Sequence, residues 1–299
     1  MDKAIKIFFK LIGNVPRKHT RGISRLLGRF FFYADQKHQK IVLDNLTRVF
    51  GKGGKYFERK KIALQVFENL FLILFEIGWF INLSHDELKK YFRIEGIDHI
   101  QSAYEKGRGV LVLTAHFGNW ELLSLIGQMI GYPVSMVYRP LDMKVLDRFF
   151  VKLRTRFGGR VIPARRALRK LLKALHNGEI IGMLMDQNVD WYEGFFVDFF
   201  GHRACTNSGM ALLAYKTRAP VVPIFLVREE NGFTAKIFPE IPPAHTGDKR
   251  KDLELNTKRY NSAIEKIIRA YPDQWFWAHQ RWKTKSYCLL ETHNQQAKA

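Results

Sequence analysis

Gly109-Val110-Leu111-Val112-Leu113-Thr114-Ala115 runs directly into His116-Phe117-Gly118-Asn119-Trp120-Glu121. The first stretch is apolar without alternation, the pattern of a strand covered on both faces. Such a strand belongs to a parallel or mixed sheet with helices on either side. The second stretch is a polar, glycine-containing turn, and helical periodicity follows over Leu122–Ile130. Strand-to-helix turns of this kind lie at the carboxyl edge of the sheet, where active sites collect. His116 then stands at the strand end and Glu121 about one turn into the helix. At that spacing a carboxylate can hold one imidazole nitrogen as N–H and leave the other as a base. Gly118 permits the tight turn, and backbone N–H groups at the helix start could face an oxyanion or a phosphate. Read as structure alone, His116 is a polar strand-end residue and Glu121 a first-turn acid favoured by the helix dipole.

The surrounding texture extends the same architecture. Strands are expected at Phe92–Glu95, Val134–Tyr138, Arg160–Pro163, Ile180–Met185, Val221–Val227 and Phe233–Phe238. The last is expected to return antiparallel across Asn231-Gly232. Helices are expected near Lys144–Phe157, Ala167–His176, 207–218 and Asp252–Tyr271. The fold class is therefore α/β, a central mainly parallel or mixed sheet flanked by helices. No internal repeat, low-complexity block or linker interrupts it.

Residues 1–90 read differently. Ile5, Phe8, Phe9 and Ile12 form one helical face, with Lys3, Lys6 and Lys10 on another. Ile23, Leu26, Leu27 and Phe30 form a second stripe, while Arg17, Arg21, Arg25 and Arg29 recur every fourth residue. Basic amphipathic helices with bulky aromatics suit a bilayer interface, and a surface helix packed on its own domain is the other reading. Glu58–Leu83 is helical and apolar on most sides, either a packing helix or part of the same surface. A spanning helix needs about 20 apolar residues, and Glu68 and Glu76 interrupt the best run, so none is expected. The division expected is 1–90, a helical membrane-associating region, and 91–299, a catalytic α/β domain.

Lys plus Arg number 49 against 28 acidic residues, a net charge of +21. That charge draws anionic partners: nucleic acid, an anionic bilayer or an acidic carrier protein. No helix-turn-helix, zinc-finger or RNP signature is present, and the cations follow amphipathic faces, so nucleic acid is not the expected partner. The two cysteines, Cys205 and Cys288, form neither a disulfide framework nor a metal spacing. Cys205 reads as a packed thiol. No second histidine stands at helical spacing from His116, which argues against a zinc site. No Gly-x-Ser-x-Gly elbow occurs either. A histidine base without a protein nucleophile points to activation of a substrate hydroxyl, and acyl transfer from a thioester fits.

The stretch His116–Glu121 resembles the histidine–four residues–acid signature of the bacterial lipid A late acyltransferases. Further pieces agree in order: Asn45, Arg48 and Phe50, Tyr138-Arg139-Pro140, Asp186-Gln187, Phe199-Phe200-Gly201 before Thr206, and Ala219-Pro220-Val221-Val222-Pro223. Tyr271-Pro272-Asp273-Gln274-Trp275-Phe276-Trp277-Ala278-His279-Gln280-Arg281-Trp282 resembles the family's closing motif. The motif often has a second arginine where this chain has Gln280.

The resemblance implies a glycerol-3-phosphate acyltransferase-like fold. It implies an O-acyltransferase with His116 as base on the acceptor hydroxyl and Glu121 as its orienting partner. It places Arg139, Asp186, Asn119 and Arg281 at the substrate, with no metal and no cofactor beyond an acyl thioester co-substrate, on acyl carrier protein or coenzyme A. The implied partners are a lipid A precursor, the carrier protein and an anionic membrane, at the cytoplasmic face of the bacterial inner membrane. Other acceptors of the same class are a phosphatidylinositol mannoside, an ornithine lipid or a lysophospholipid. A guanidinium at a strand end suits phosphate, so Arg139 is either a phosphate ligand or a solvated loop residue. Asp186 is either a site residue or a turn former. His279 and Arg281 either join the site or pin the C-terminal segment. Arg165, Arg166, Arg169, Lys170 and Lys173 form a basic face that either docks an acidic carrier or anionic lipid or is simply solvated.

Overall fold

The computed structural model describes residues 2–51 and 56–285; Cys288 lies outside them. Four helices come first: α1 (Asp2–Gly13), α2 (Arg17–Ala34), α3 (Gln36–Phe50) and α4 (Tyr56–Asn82). The short α5 (His85–Lys89) leads into β1 (Phe92–Glu95) and α6 (Ile97–Tyr104). Then come β2 (Val110–Thr114), α7 (Leu123–Met129), β3 (Val134–Tyr138), α8 (Lys144–Thr155), β4 (Arg160–Pro163), α9 (Leu168–His176) and β5 (Ile180–Leu184). A hairpin of β6 (Gly194–Phe199) and β7 (His202–Asn207) precedes α10 (Gly209–Thr217). The chain closes with β8 (Val221–Arg228), β9 (Phe233–Ile237) and α11 (Lys249–Ala270).

The main sheet has the order β1-β9-β8-β2-β5-β3-β4. Every pairing in it is parallel except β8 with β9, which turn back on each other across Asn231-Gly232 as the sequence suggests. β2 is central and wholly buried. Its side chains alternate between layers. Leu111, Leu113 and Ala115 join the core built with α9, α10 and α11. Val110 and Val112 join Ile100 and Ala103 of α6 on the other face. Both faces are covered, so an unbroken apolar run was the right signature for this strand.

The N-terminal helices pack around α4, whose lower half enters the first core through Ala63, Val66 and Phe67 and whose upper half meets α1 through Phe9, Ile73 and Ile77. By length and composition Phe57–Asn82 is apolar enough to cross a membrane, with a mean hydropathy of 1.6. The sequence expectation of no such helix rested on Glu68 and Glu76. Both have cationic neighbours: Glu68 lies 3.9 and 3.8 Å from Arg25 and Arg29, and Glu76 accepts from Arg228 Nη2 at 2.8 Å.

In α2 the buried positions are Ser24, Gly28 and Phe32, while Leu26 (71% exposed), Phe30 (64%) and Ile23 face outward. A Cβ at Gly28 would meet the backbone of Glu68 at 2.6 Å, so the small side of this helix is what lets it lie against α4. α1 likewise buries Phe9 and exposes Ile7, Phe8 and Leu11. The arginines between the stripes are partly used within the molecule. Arg21 Nη2 donates to the carbonyls of Glu229 (2.9 Å) and Glu230 (3.0 Å), and Arg17 stacks over Trp79 and Tyr91.

Candidate active site

The register of the sheet builds the site. β2 and β5 pair in parallel with Val110 opposite Ile180 and Thr114 opposite Leu184. Carried two residues past the strand ends, the same register sets His116 beside Asp186. His116 Nδ1 lies 2.9 Å from Asp186 Oδ1, and the His116 backbone N–H donates to Oδ2 at 3.0 Å. Trp275 Nε1 donates to the same Oδ2 at 2.8 Å. Asp186 is completely buried. Burial alone would raise its pKa, but the facing His116, its hydrogen bond, His279 and the Trp275 indole outweigh that and hold it well below the usual carboxylate range. An ionised Asp186 keeps the proton of His116 on Nδ1 and leaves the Nε2 lone pair facing outward.

Glu121 is not the partner of His116, contrary to the sequence expectation. Its carboxylate takes a bidentate pair from Arg154 of α8, Nε to Oε2 and Nη2 to Oε1, both at 2.8 Å, and the Trp120 indole donates to Oε1 at 3.1 Å. The reason is local. Residues Trp120–Leu122 form a 3-10 turn and the α-helix begins only at Leu123, so Glu121 points into the layer beneath α8.

The turn itself is held from below. Gly118 has φ +58°, and a Cβ there would run into the carbonyl oxygen of Leu226. Its N–H donates to Gln274 O at 2.9 Å, and Phe117 bridges to Trp275.

The closing motif supplies the other wall. Trp275 and Trp277 are fully buried. Aromatic burial of that extent contributes at most about 4–6 kcal/mol each by area. Asn45 of α3 donates to the carbonyls of both Trp277 and His279 at 2.8 Å. His279 joins the site: its ring packs edge-on against His116, centroids 4.7 Å apart, and its Nε2 lies 3.9 Å from Asp186 Oδ2. Burial pulls its pKa down to about 3, so it is neutral. Arg281 does the pinning. It is fully buried and donates to Cys205 O (2.8 Å) and Thr206 Oγ1 (2.6 Å), and burial lowers its pKa to about 10.

Of the expected substrate ligands, Asn119 and Arg281 are thus interior, as is Asp186. Asn119, like Arg281, is 0% exposed, and it donates to Glu76 Oε2 at 2.8 Å. A short polar residue three positions from His116 resembles a ligand in sequence; here it ties the turn to α4. Arg139 is exposed at the carboxyl end of β3, with β5 between it and β2, so about 10 Å of sheet separates the two strand ends. Cys205 is buried, its thiol pushed up to about 11 by burial, as a packed thiol should be.

His116, Asp186 and His279 bring ligand-type atoms within 4.8 Å of one another, a histidine pair that spacing along the chain did not reveal. The carboxylate already accepts three N–H groups, a donor set arranged for hydrogen bonding rather than for a cation. Trp275 and the clamp by Asn45 carried no chemical signal in the sequence beyond their place in the quoted motifs, and Arg154 carried none.

The model of the bacterial lipid A biosynthesis acyltransferases matches residues 2–284. A lipid A biosynthesis acyltransferase of Haemophilus influenzae is 25% identical over 278 residues, covering 93% of this chain and 86% of that protein. The lipid A biosynthesis palmitoleoyltransferase of Escherichia coli is 29% identical over 257 residues, 84% of this chain and 80% of its own length. The lauroyltransferase of the same pathway in Escherichia coli is 28% identical over 267 residues, 88% and 84% respectively. A match over nearly the full length makes this chain an acyltransferase belonging to the bacterial lipid A biosynthesis acyltransferase family.

Proposed function

We propose that the chain moves a fatty acyl group from a thioester, on acyl carrier protein or coenzyme A, to a hydroxyl of a lipid A precursor. His116 is the base and Asp186 its orienting carboxylate. The observation that carries this reading is the hydrogen-bonded His116–Asp186 pair with Nε2 facing outward. His116 Nε2 takes the proton of the acceptor hydroxyl while its oxygen attacks the thioester carbonyl. The C–S bond then breaks and the thiolate recovers the proton. No covalent acyl-enzyme is needed, and Cys205 is too buried and too weakly acidic to form one.

Arg139, at the same edge, is assigned to a phosphate of the acceptor. Arg165 and Arg166 follow β4 on that edge, continuous with Arg169, Lys170 and Lys173 of α9, and all five are exposed. This face suits an acidic acyl carrier protein. The outward-facing apolar side chains of α1 and α2 suit shallow insertion into an anionic bilayer at the cytoplasmic face of the inner membrane.

The test is transfer by purified protein from lauroyl-acyl carrier protein to a lipid A precursor. His116→Ala is expected to abolish transfer while the fold, read by circular dichroism, is retained, with some loss of melting temperature because buried Asp186 loses a partner. Asp186→Asn is expected to lower kcat by about 10⁴-fold, because the imidazole loses its fixed tautomer. Undiminished transfer by His116→Ala would sink the mechanism.

A further inference from the structure

The three amides that open the turn, those of His116, Phe117 and Gly118, are already used. His116 N–H goes to Asp186 (3.0 Å), Phe117 N–H to Ala115 O (2.8 Å) and Gly118 N–H to Gln274 O (2.9 Å). The nearby indoles are committed as well, Trp120 to Glu121 (3.1 Å) and Trp275 to Asp186 (2.8 Å). A thioester attacked beside His116 still has to place a developing negative charge against a donor.

The side chain of Gln187 stands there. Its Nε2 lies 3.4 Å from His116 Nε2, and the residue is exposed. Because Nδ1–H of His116 is given to Asp186, the outer nitrogen carries the lone pair, and Gln187 must present an N–H to it. The backbone beneath is fixed. Gln187 follows buried Asp186 directly, its carbonyl accepts from Arg281 at 3.4 Å, and Asn188 exchanges hydrogen bonds of 2.9 and 3.2 Å with Thr284. A pinned backbone with a free carboxamide is a donor that can move by side-chain rotation alone.

We propose that Gln187 is a catalytic residue that caps the resting base, cedes that place to the acceptor hydroxyl, and donates its N–H to the thioester carbonyl oxygen as it becomes an oxyanion. The inference rests on the reading of His116 as the base. The acceptor proton goes to His116 Nε2 and the hydroxyl oxygen forms the new C–O bond. The carbonyl electron pair moves onto the oxygen facing Gln187, and its return expels the thiolate, which takes the proton from His116. In the absence of acceptor, water follows the same route and gives thioester hydrolysis through the same oxyanion.

The experiment measures transfer to a lipid A precursor and acceptor-free hydrolysis, read as thiol release, with lauroyl-acyl carrier protein as donor and the full chain as enzyme. For Gln187→Ala, kcat of transfer and the hydrolysis rate are both expected to fall about 10²–10³-fold, with the acceptor KM and the melting temperature little changed. Gln187→Glu, of the same shape but without the N–H donor, is expected to be as impaired. A Gln187→Glu or Gln187→Ala protein that works as well as wild type, or faster, overturns the proposal. So does a loss confined to transfer with hydrolysis intact, which would make Gln187 a holder of the acceptor alone. His116→Ala separates the two levels. If it is inactive while the Gln187 variants are normal, only this inference fails; if it is as active as wild type, the reading of the base fails and this inference falls with it.

Discussion

Asp186 stands 70 positions from His116 in the chain and 2.9 Å from it in space. Local spacing offers Glu121 as the carboxylate for His116, and only the pairing of β2 with β5 shows why it is Asp186. The sequence contained both residues and both strands; what it lacked was the order of strands in the sheet. Glu121 and Arg154 behave instead as one partly buried unit, 8% and 16% exposed. Removing either leaves the other as an unmatched charge beneath α8. Glu121→Ala and Arg154→Ala are each expected to lose about 3–5 kcal/mol of stability, and the double variant less than the sum, as read by denaturant unfolding. An Arg154→Ala protein of wild-type stability would remove the pair. His279 makes a separate prediction. Its pKa falls from about 6.5 in an unfolded chain to about 3 in the fold. The unfolded chain therefore binds the extra proton between those values. The stabilisation is full above about pH 6.5 and declines as pH drops toward 3, by about 2 kcal/mol at pH 5. Asp186, with its depressed pKa, adds loss of the same sign only below about pH 4. Unfolding measured from pH 7 to 4 should show this slope in wild type and a shallower one in His279→Asn.

At the scale of elements, α2 inverts the usual amphipathic arrangement. Over most of its length small residues, Ser24 and Gly28, face the protein, while Ile23, Leu26 and Phe30 face out; only toward its end does Phe32 turn a bulky ring inward. Periodicity revealed the apolar stripe but not its direction, since burial of Ser24 and Gly28 depends on how closely α4 approaches. Leu26→Glu with Phe30→Glu should leave the circular dichroism unchanged, because both side chains are exposed. It should weaken co-sedimentation with vesicles of anionic phospholipid about 100-fold or more, given roughly 1.5–3 kcal/mol per large side chain inserted. Undiminished binding would place the membrane contact elsewhere. The strands of the main sheet were legible because each carries an apolar run, as in β2 and β8, or an alternation of apolar and polar residues, as in β1. The hairpin of β6 and β7 was not. Its second strand, His202-Arg203-Ala204-Cys205-Thr206-Asn207, is polar enough to read as loop, and its order comes from pairing with β6 and from Asn261 of α11, which donates to Asp198 O at 2.8 Å. Helix α6 was missed for a different reason: Gly96 precedes it and no side chain caps it.

Across the whole molecule, the N-terminal helices and the sheet are tied by buried and part-buried polar bonds as well as by packing. Glu76 of α4 receives both Asn119 of the histidine turn and Arg228 of β8, and Asn69 donates to Asp273 O at 2.7 Å. Asn45 reaches from α3 to the closing motif. A division at residue 90 marks where helices give way to strands, while the contacts cross it freely. On the proposed reading, the net charge of +21 would draw the molecule to an anionic surface and the exposed apolar side chains of α1 and α2 would hold it there. Trp275 is the last of the three donors that fix Asp186, and it arrives with the final stretch of the described chain. During synthesis, then, α1 and α2 emerge first and the Trp275 donor to Asp186 comes late, so the His116–Asp186 pair gains its third hydrogen bond only when the closing motif folds in.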